Sequence, residues 1–447
     1  MALLITAAVA GVVAFRLGHR WTKISDKVVS TIGSAMPSIL ILLLIGSLAG
    51  TWMISGVVPA MIYYGLDIIN PKLFLFTAVI VTSIVSVATG SSWSTIATIG
   101  IALLGIGKAL GINEAVVAGA IVSGAYFGDK MSPLSDTTNL APAMAGTDLF
   151  THIRYMAFTT VPSMTLTLII FIGIGFRYDF SQAVVDVQSV KQAIDGTFNT
   201  NPLLFLVPVI LLTIIMLKVS PLPALFAGTI LGAIFAVIFQ PDIIIQITNI
   251  SGNYIKASYM AVMQSMFGDV SLTTSDPKVN ELLSTAGMRG MMDTIWLILS
   301  AMVFGGVMES AGLLKRITRP IIKYAKSTGS LVASTVITCI FFNTTASDQY
   351  LAIVVPGRMF RKTYQEKGLK PELLSRTLED SGTMTSVLVP WNTCGATQSR
   401  VLGVPTLAYA PYAFFNIISP LMTILIAYLN IKIRRFAVDK KEVIAED

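Results

Sequence analysis

Residues 327–357 read STGSLVASTVITCIFFNTTASDQYLAIVVPG, an apolar run with a single charge, Asp348, between the basic stretches Lys315 to Lys326 and Arg358 to Arg376. Basic connections of membrane proteins collect on the cytoplasmic side, which places both flanks on one face. Two complete crossings of hydrocarbon take about 40 residues plus a turn. Only 31 are present. The run therefore reads as a re-entrant helical hairpin with its tip at Asn343-Thr344-Thr345-Ala346-Ser347-Asp348.

Composition agrees with a membrane setting. Of 447 residues, 54% are hydrophobic and 12% charged, with mean hydropathy +0.75, whereas soluble domains carry about 25% charged residues. Leu203 to Leu217, Leu222 to Phe239 and Thr294 to Met308 each approach spanning length with their flanks. The net charge of +7 gathers in short connections, not on one face, so it reads as topology and not as a nucleic-acid site. Arg16 to Lys27, Lys315 to Lys326, Arg358 to Arg376 and the tail Lys432 to Lys441 all belong in the cytoplasm, and the C-terminus with them. Residues 1–15 lack a small-residue cleavage site before Arg16 and read as a retained first helix. Cys339 and Cys394 lie in apolar surroundings and read as reduced thiols.

The first half repeats the pattern. Lys72 and Lys108 bracket 35 uncharged residues interrupted by Thr89-Gly90-Ser91-Ser92-Trp93-Ser94, which predicts a second hairpin. With Arg16 to Lys27 inside, a helix from Ser30 to about Tyr64 runs outward, so this hairpin enters from the opposite face. Each hairpin precedes a helix broken by a polar stretch, Gly128 to Asn139 in one half and Ser386 to Gly395 in the other. Sliding the halves by 257 positions superposes Pro133 on Pro390, Gly146 on Gly403, Tyr155 on Tyr412 and Phe158 on Phe415. The fold expected is an all-α polytopic membrane protein of two inverted-topology repeats, each with a re-entrant hairpin and a broken transmembrane helix, a recurring design of secondary transporters. The units expected are N-terminal scaffold helices (1–71), the first hairpin and broken helix (72–154), further scaffold helices with external loops (155–314), the second hairpin and broken helix (315–404), and a last helix with a cytoplasmic tail (405–447).

Breaks in a spanning helix free backbone groups that hydrocarbon cannot satisfy, so they persist only where protein covers them or a wet cavity receives them. Around Pro133, Asp129, Ser132, Ser135, Asp136, Thr137, Thr138 and Asn139 supply hard oxygen donors suited to Na⁺ or Li⁺. A carboxylate at membrane depth is costly to ionise alone, which lets a proton and a metal ion compete for it. Asn343, Thr344, Ser347 and Asp348 of the second hairpin and Asn392 and Thr393 of the second break complete the candidate set, with Asp136 and Asp348 as the Na⁺ carboxylates. A blander reading makes Gly128 to Asn139 a surface loop with an Asp129–Lys130 ion pair. Glu309, Glu379 and Asp380 read as interfacial, and His152 as a cytoplasmic loop residue. No zinc, Walker or nucleophile-elbow pattern is present, so neither an enzyme nor a resident cofactor is expected.

Gly128-Asp129-Lys130-Met131-Ser132-Pro133-Leu134-Ser135-Asp136-Thr137-Thr138-Asn139-Leu140-Ala141 resembles the signature of the NhaC-type Na⁺/H⁺ antiporter family. Asn343 to Tyr350, Leu378 to Thr383 and Pro390 to Thr393 also resemble that family, and the likeness covers nearly the whole chain. It implies the ion transporter superfamily architecture, a scaffold that often dimerises beside a transport unit that moves as an elevator, in the cytoplasmic membrane. It also leads to the expectation of a further hydrophobic helix upstream of the first. A branch of the family is similar to malate/lactate antiporters, and other members take amino acids.

Two functions follow from this reading. In the first, Asp129, Asp136 and Asp348 bind either Na⁺ or protons and so enforce exchange. In the second, half-helix N-termini and hydroxyls hold a small carboxylate in Na⁺-coupled exchange. A channel would need a continuous polar stripe, and the polar residues instead cluster at four points.

Overall fold

Hydrocarbon offers a backbone amide no water, so a chain this apolar crosses it as helix. The computed structural model describes residues 1–178, 183–272, 280, 283–314, 316, 317, 320 and 326–436. Among these, seven helices are long and apolar enough to cross a membrane, or eight if one bent pair counts as a single span. The chain is an all-α polytopic membrane protein, with one short ladder pairing Val270–Ser271 with Ser284–Thr285.

The N-terminal part is α1 (Ala2–Arg16), α2 (Trp21–Ile54) and α3 (Val57–Ile68). The expected helix from Ser30 to Tyr64 is thus two helices, and it begins nine residues earlier. The break falls at Gly56, whose φ of +79° ends α2 because residues with a Cβ rarely adopt that backbone. Next come α4 (Pro71–Thr89) and α5 (Ser92–Ala109), joined at Gly90 with φ +69°. The Phe74 ring near the start of α4 lies against Gly107 near the end of α5, so the second arm returns to the end the first left. The chain then runs through α6 (Glu114–Met131), a break at residues 132–135, and α7 (Asp136–Ala145).

The middle of the chain is α8 (Leu149–Gly175), α9 (Ala183–Asp195), α10 (Pro202–Met216), α11 (Pro221–Phe239), α12 (Pro241–Thr248), α13 (Tyr254–Phe267) and α14 (Arg289–Ser310). The second half repeats the order of parts: α15 (Thr328–Thr345) and α16 (Gln349–Glu366) are joined at Ala346-Ser347-Asp348. Then α17 (Pro371–Leu378) continues through a π turn at Glu379–Thr383 and Met384–Ser386, breaks, and resumes as α18 (Thr393–Leu402). The bent pair α19 (Thr406–Tyr412) and α20 (Phe414–Tyr428) closes the described chain.

Several expectations need correction. The returning arm does not stop at Gly357 but carries Arg358, Arg361 and Lys362 as its last helical turns. Arg376 does not sit in a basic surface connection; it is fully buried in α17, its guanidinium 4.6 Å from the Tyr155 ring centroid. His152 is no loop residue, since it lies fully buried in α8 with Nδ1 2.9 Å from Ser375 Oγ. Glu379 and Asp380 are buried, not interfacial, while Glu309 does lie near an end and pairs with Lys27 at 2.8 Å. Residues 315, 318, 319 and 321–325 of the basic stretch Lys315 to Lys326, and residues 437–441 of the tail, lie outside the described residues.

The two broken helices cross the molecule in opposite senses. α6 starts beside Lys108, which pairs with Glu114 at 2.9 Å, and α7 ends with Gly146 packed on Arg361. α17 starts beyond Arg361, and α18 ends with Arg400 to Gly403 beside Leu104, Gly105 and Lys108. α4 and α6 run side by side in the same direction. Their closeness depends on glycine: a Cβ at Gly128 would stand 2.5 Å from both Ser83 O and Ser86 Cβ. Ser86 Oγ donates to Ala125 O at 2.6 Å across the same contact. Gly128→Leu is therefore expected to destabilise the protein by about 1–3 kcal/mol or more through overpacking. A melting-temperature comparison in detergent with Gly33→Ala, where nothing lies within 4 Å of the added Cβ, checks it.

Candidate functional site

Local sequence explains each interruption. α6 ends at Met131 because the residue before a proline, here Ser132, is pushed out of helical backbone. α7 restarts on Ser135, whose side chain accepts from Thr138 N. Gly90 turns the first hairpin in the left-handed region, and Ser91 then caps α5 by accepting from Ser94 N at 3.2 Å. Ser347 turns the second with φ +59°, and Asp348 caps α16 by accepting from Leu351 N at 2.9 Å. Asn392, two residues after Pro390, caps α18 by accepting from Cys394 N at 3.0 Å. All four are side-chain caps on helix N-termini.

The first turns of these four helices face one cavity of about 450 Å³. α5 brings Ser91, Trp93 and Ser94; α7 brings Asp136 and Thr137; α16 brings Gln349 and Tyr350; α18 brings Thr393 and Cys394. Thr89, Gly90, Asp129, Pro133, Leu134 and Ser135 complete that side. The opposing wall is Ser38 and Ile41 of α2, Ile215 of α10 and the turn Lys218 to Pro221. Each helix N-terminus carries roughly half a positive charge, so the cavity combines a positive backbone field with the carboxylates of Asp129 and Asp136.

Of the residues singled out in the sequence, Asp129, Ser135, Asp136, Thr137 and Thr393 line this cavity, and Asp136 is exposed to it. Asp129 also ties the hairpin to the break: Ser92 Oγ donates to its Oδ2 at 2.6 Å and Ser92 N at 3.2 Å. The others stand behind the lining and hold it. Ser132 Oγ donates to Val87 O at 2.8 Å, and Thr138 Oγ1 donates to the carbonyls of Asp129 and Lys130 at 3.1 and 3.0 Å. Asn139 donates back to Ser135 O at 2.7 Å. Asn343 donates to Gly382 O at 2.8 Å and Thr385 Oγ1 at 2.9 Å, and Asn392 donates to Asn343. The Thr344 carbonyl accepts from Trp391 Nε1 at 2.7 Å, and the Ser347 carbonyl from Thr393 N at 3.0 Å. Asp348 is 4% exposed and turned into its cap, so it is not brought beside Asp136 on the cavity wall. Tyr350, two residues after Asp348, lines the cavity together with Asp129 and Asp136.

The surface-loop reading of Gly128 to Asn139 fails on burial: Ser132, Ser135 and Thr138 are fully buried. Its Asp129–Lys130 ion pair fails too, because Lys130 pairs with Asp380 and both side chains are fully buried. Glu379 beside it accepts from Thr137 Oγ1 at 3.0 Å. Lys130, Glu379 and Asp380 were missed as neighbours of the site, as were Thr89, Ser94, Gln349 and Tyr350 on its wall. One signal was available: a lysine inside an apolar helix needs a buried partner, and Glu379-Asp380 sits on the other broken helix.

Residues 124–431 match the Na⁺/H⁺ antiporter family. The chain belongs to that family. It is 38% identical to the Na⁺/H⁺ antiporter NhaC of Alkalihalophilus pseudofirmus over 96% of this chain and 90% of that protein. It is 35% identical to the Na⁺/H⁺ antiporter NhaC of Bacillus subtilis over 96% and 92%. A malate-2H⁺/Na⁺-lactate antiporter of B. subtilis is 34% identical over 96% and 88%. In this member of the antiporter family, the signature stretch Gly128 to Ala141 is the first break and the helix restart after it.

Asp129→Asn keeps an oxygen acceptor for Ser92, whereas Asp129→Ala removes it. Asp129→Asn is therefore expected to fold and melt within a few degrees of the wild type, while Asp129→Ala loses about 1–3 kcal/mol through the stranded hydroxyl and N–H. Melting curves of the two purified variants separate the structural part of Asp129 from its charge.

Proposed function

We propose that this protein exchanges Na⁺, or Li⁺, for H⁺ across the cell membrane by letting both compete for carboxylates in the cavity where the four helix N-termini meet. The observation that carries the reading is the convergence of Asp129 and Asp136 with the hydroxyls of Ser91, Ser94, Thr137 and Thr393 around one cavity in an apolar protein. Hard oxygen donors suit an alkali cation, and a lone carboxylate at depth favours a bound proton or ion over a bare charge. Asp136 is the first Na⁺ ligand in this reading. Asp348 contributes through the second hairpin tip, next to Gln349 and Tyr350 on the cavity wall.

The inverted repeat is supported by the opposite senses of α6–α7 and α17–α18. It is supported also by left-handed turns at Gly146 and Gly403, which the 257-residue offset superposes. Re-entrant hairpins are supported by depth. The first tip lies level with Asp129, and the chain continues past it for the ten residues of α7, about 15 Å of helix. The C-terminus is assigned to the cytoplasm, with Arg434 and Arg435 at its described end. A dimer through the scaffold and elevator motion of the paired hairpins remain parts of this proposal.

A second reading, Na⁺-coupled exchange of a small organic anion, is favoured by the cavity's size and by Lys218 at its wall. Helix N-termini also favour carboxylates, and one relative is named for malate and lactate. Internal pH of proteoliposomes after adding Na⁺, Li⁺ or K⁺, with and without malate and lactate, tests both. Na⁺ or Li⁺ alone should move protons, and Asp136→Asn should reduce the rate by about 100-fold or more, as loss of a ligating charge does. Asp348→Asn should reduce it less, because an asparagine still caps α16. Proton movement only in the presence of an organic anion would replace the first reading with the second.

A further inference from the structure

Lys130 follows Asp129 directly, and consecutive residues on an α-helix point about 100° apart. Asp129 faces the cavity, so Lys130 faces away from it, and neither Lys130 nor Asp380 contributes to the cavity lining. The ammonium pairs with Asp380, donates to Ser419 Oγ at 2.9 Å, and lies 5.5 Å from the Phe415 ring centroid. Ser419 Oγ in turn donates to Asp380 Oδ1 at 3.1 Å. The π turn at Glu379–Thr383 lets two consecutive acids serve two helices: Glu379 meets Thr137 of α7, and Asp380 meets Lys130 of α6. From α8, the buried His152 bonds Ser375 of α17, one turn before Glu379.

A fully buried ion pair is often no more stabilising than an apolar pair of the same volume, so fold stability alone gives little reason for it. A free ammonium one residue from Asp129 would, however, be the nearest competitor for any cation entering the cavity. We propose that Asp380 is a positioning residue that holds the Lys130 ammonium away from the cavity, leaving Asp129 and Asp136 free for the transported ion. The inference rests on the cation-exchange reading.

The test is the KM and maximal rate of Na⁺-dependent proton movement in proteoliposomes. D380N is expected to raise KM for Na⁺ about tenfold or more, with a smaller effect on maximal rate, because the released charge repels the incoming ion. The double variant K130M/D380N removes the competitor as well as its holder, and its KM should return to within about threefold of wild type. An unchanged KM in D380N, or a double variant as weak as D380N, would overturn the proposal. Should D380N not accumulate in membranes, the exchanged pair K130D/D380K carries the test. It moves the ammonium to the π turn, where KM should again stay within about threefold of wild type, and a tenfold rise would overturn the proposal equally. Failure of the antiport reading is distinct: it would show as a wild-type protein that moves no protons with Na⁺, before any variant is compared, and would remove both.

Discussion

Backbone groups freed inside a membrane have no solvent to turn to, and everything about this site follows from where four sets of them go. Each interruption resumes on a residue that caps the next helix. Ser91, Ser135, Asp348 and Asn392 each satisfy part of their own restarted helix. Neighbouring segments supply further partners: Asp129 receives the start of α5, and the Ser347 carbonyl receives the start of α18. The breaks are therefore mutually dependent, and the cavity is the space their caps leave between them.

That dependence explains why so many residues of the signature do not touch the cavity. Ser132 and Thr138 bond to carbonyls of segments they must hold still, and Asn343 and Asn392 bond to each other across the hairpin and the break. Their near neighbours in the chain, Asp129, Ser135, Asp136, Thr137 and Thr393, face inward. Rigidity behind and oxygen in front come from the same short stretches of chain.

The sequence made the helical class, the two turns that pair neighbouring helices and the two breaks readable, because charge counting, proline and glycine act locally. The uncharged run between Lys72 and Lys108 became α4 and α5, and Pro133 fell in the break it announced. Contacts between distant segments were not readable in the same way. Asp348 stood out as a lone charge, yet its carboxylate serves the local helix start, a role that spacing alone could not separate from ligation. Glu379 and Asp380 followed a basic stretch and so resembled surface acids, but tertiary packing buries the polar face of α17 against α6, α7 and α8. Arg376 and His152 were misplaced for the same reason: burial of a polar face depends on what packs against it, and no periodicity within one helix reports that.

The two walls of the cavity differ in charge. One holds Asp129 and Asp136, while the other is Ser38, Ile41, Ile215, Val219, Ser220 and Pro221, with Lys218 as its single charge. Across the cavity from the acidic face, Lys218 is the one fixed side-chain cation. In the exchange proposed above, a cation or proton bound between the walls would offset the charge of Asp129 and Asp136 before that face meets an apolar surface.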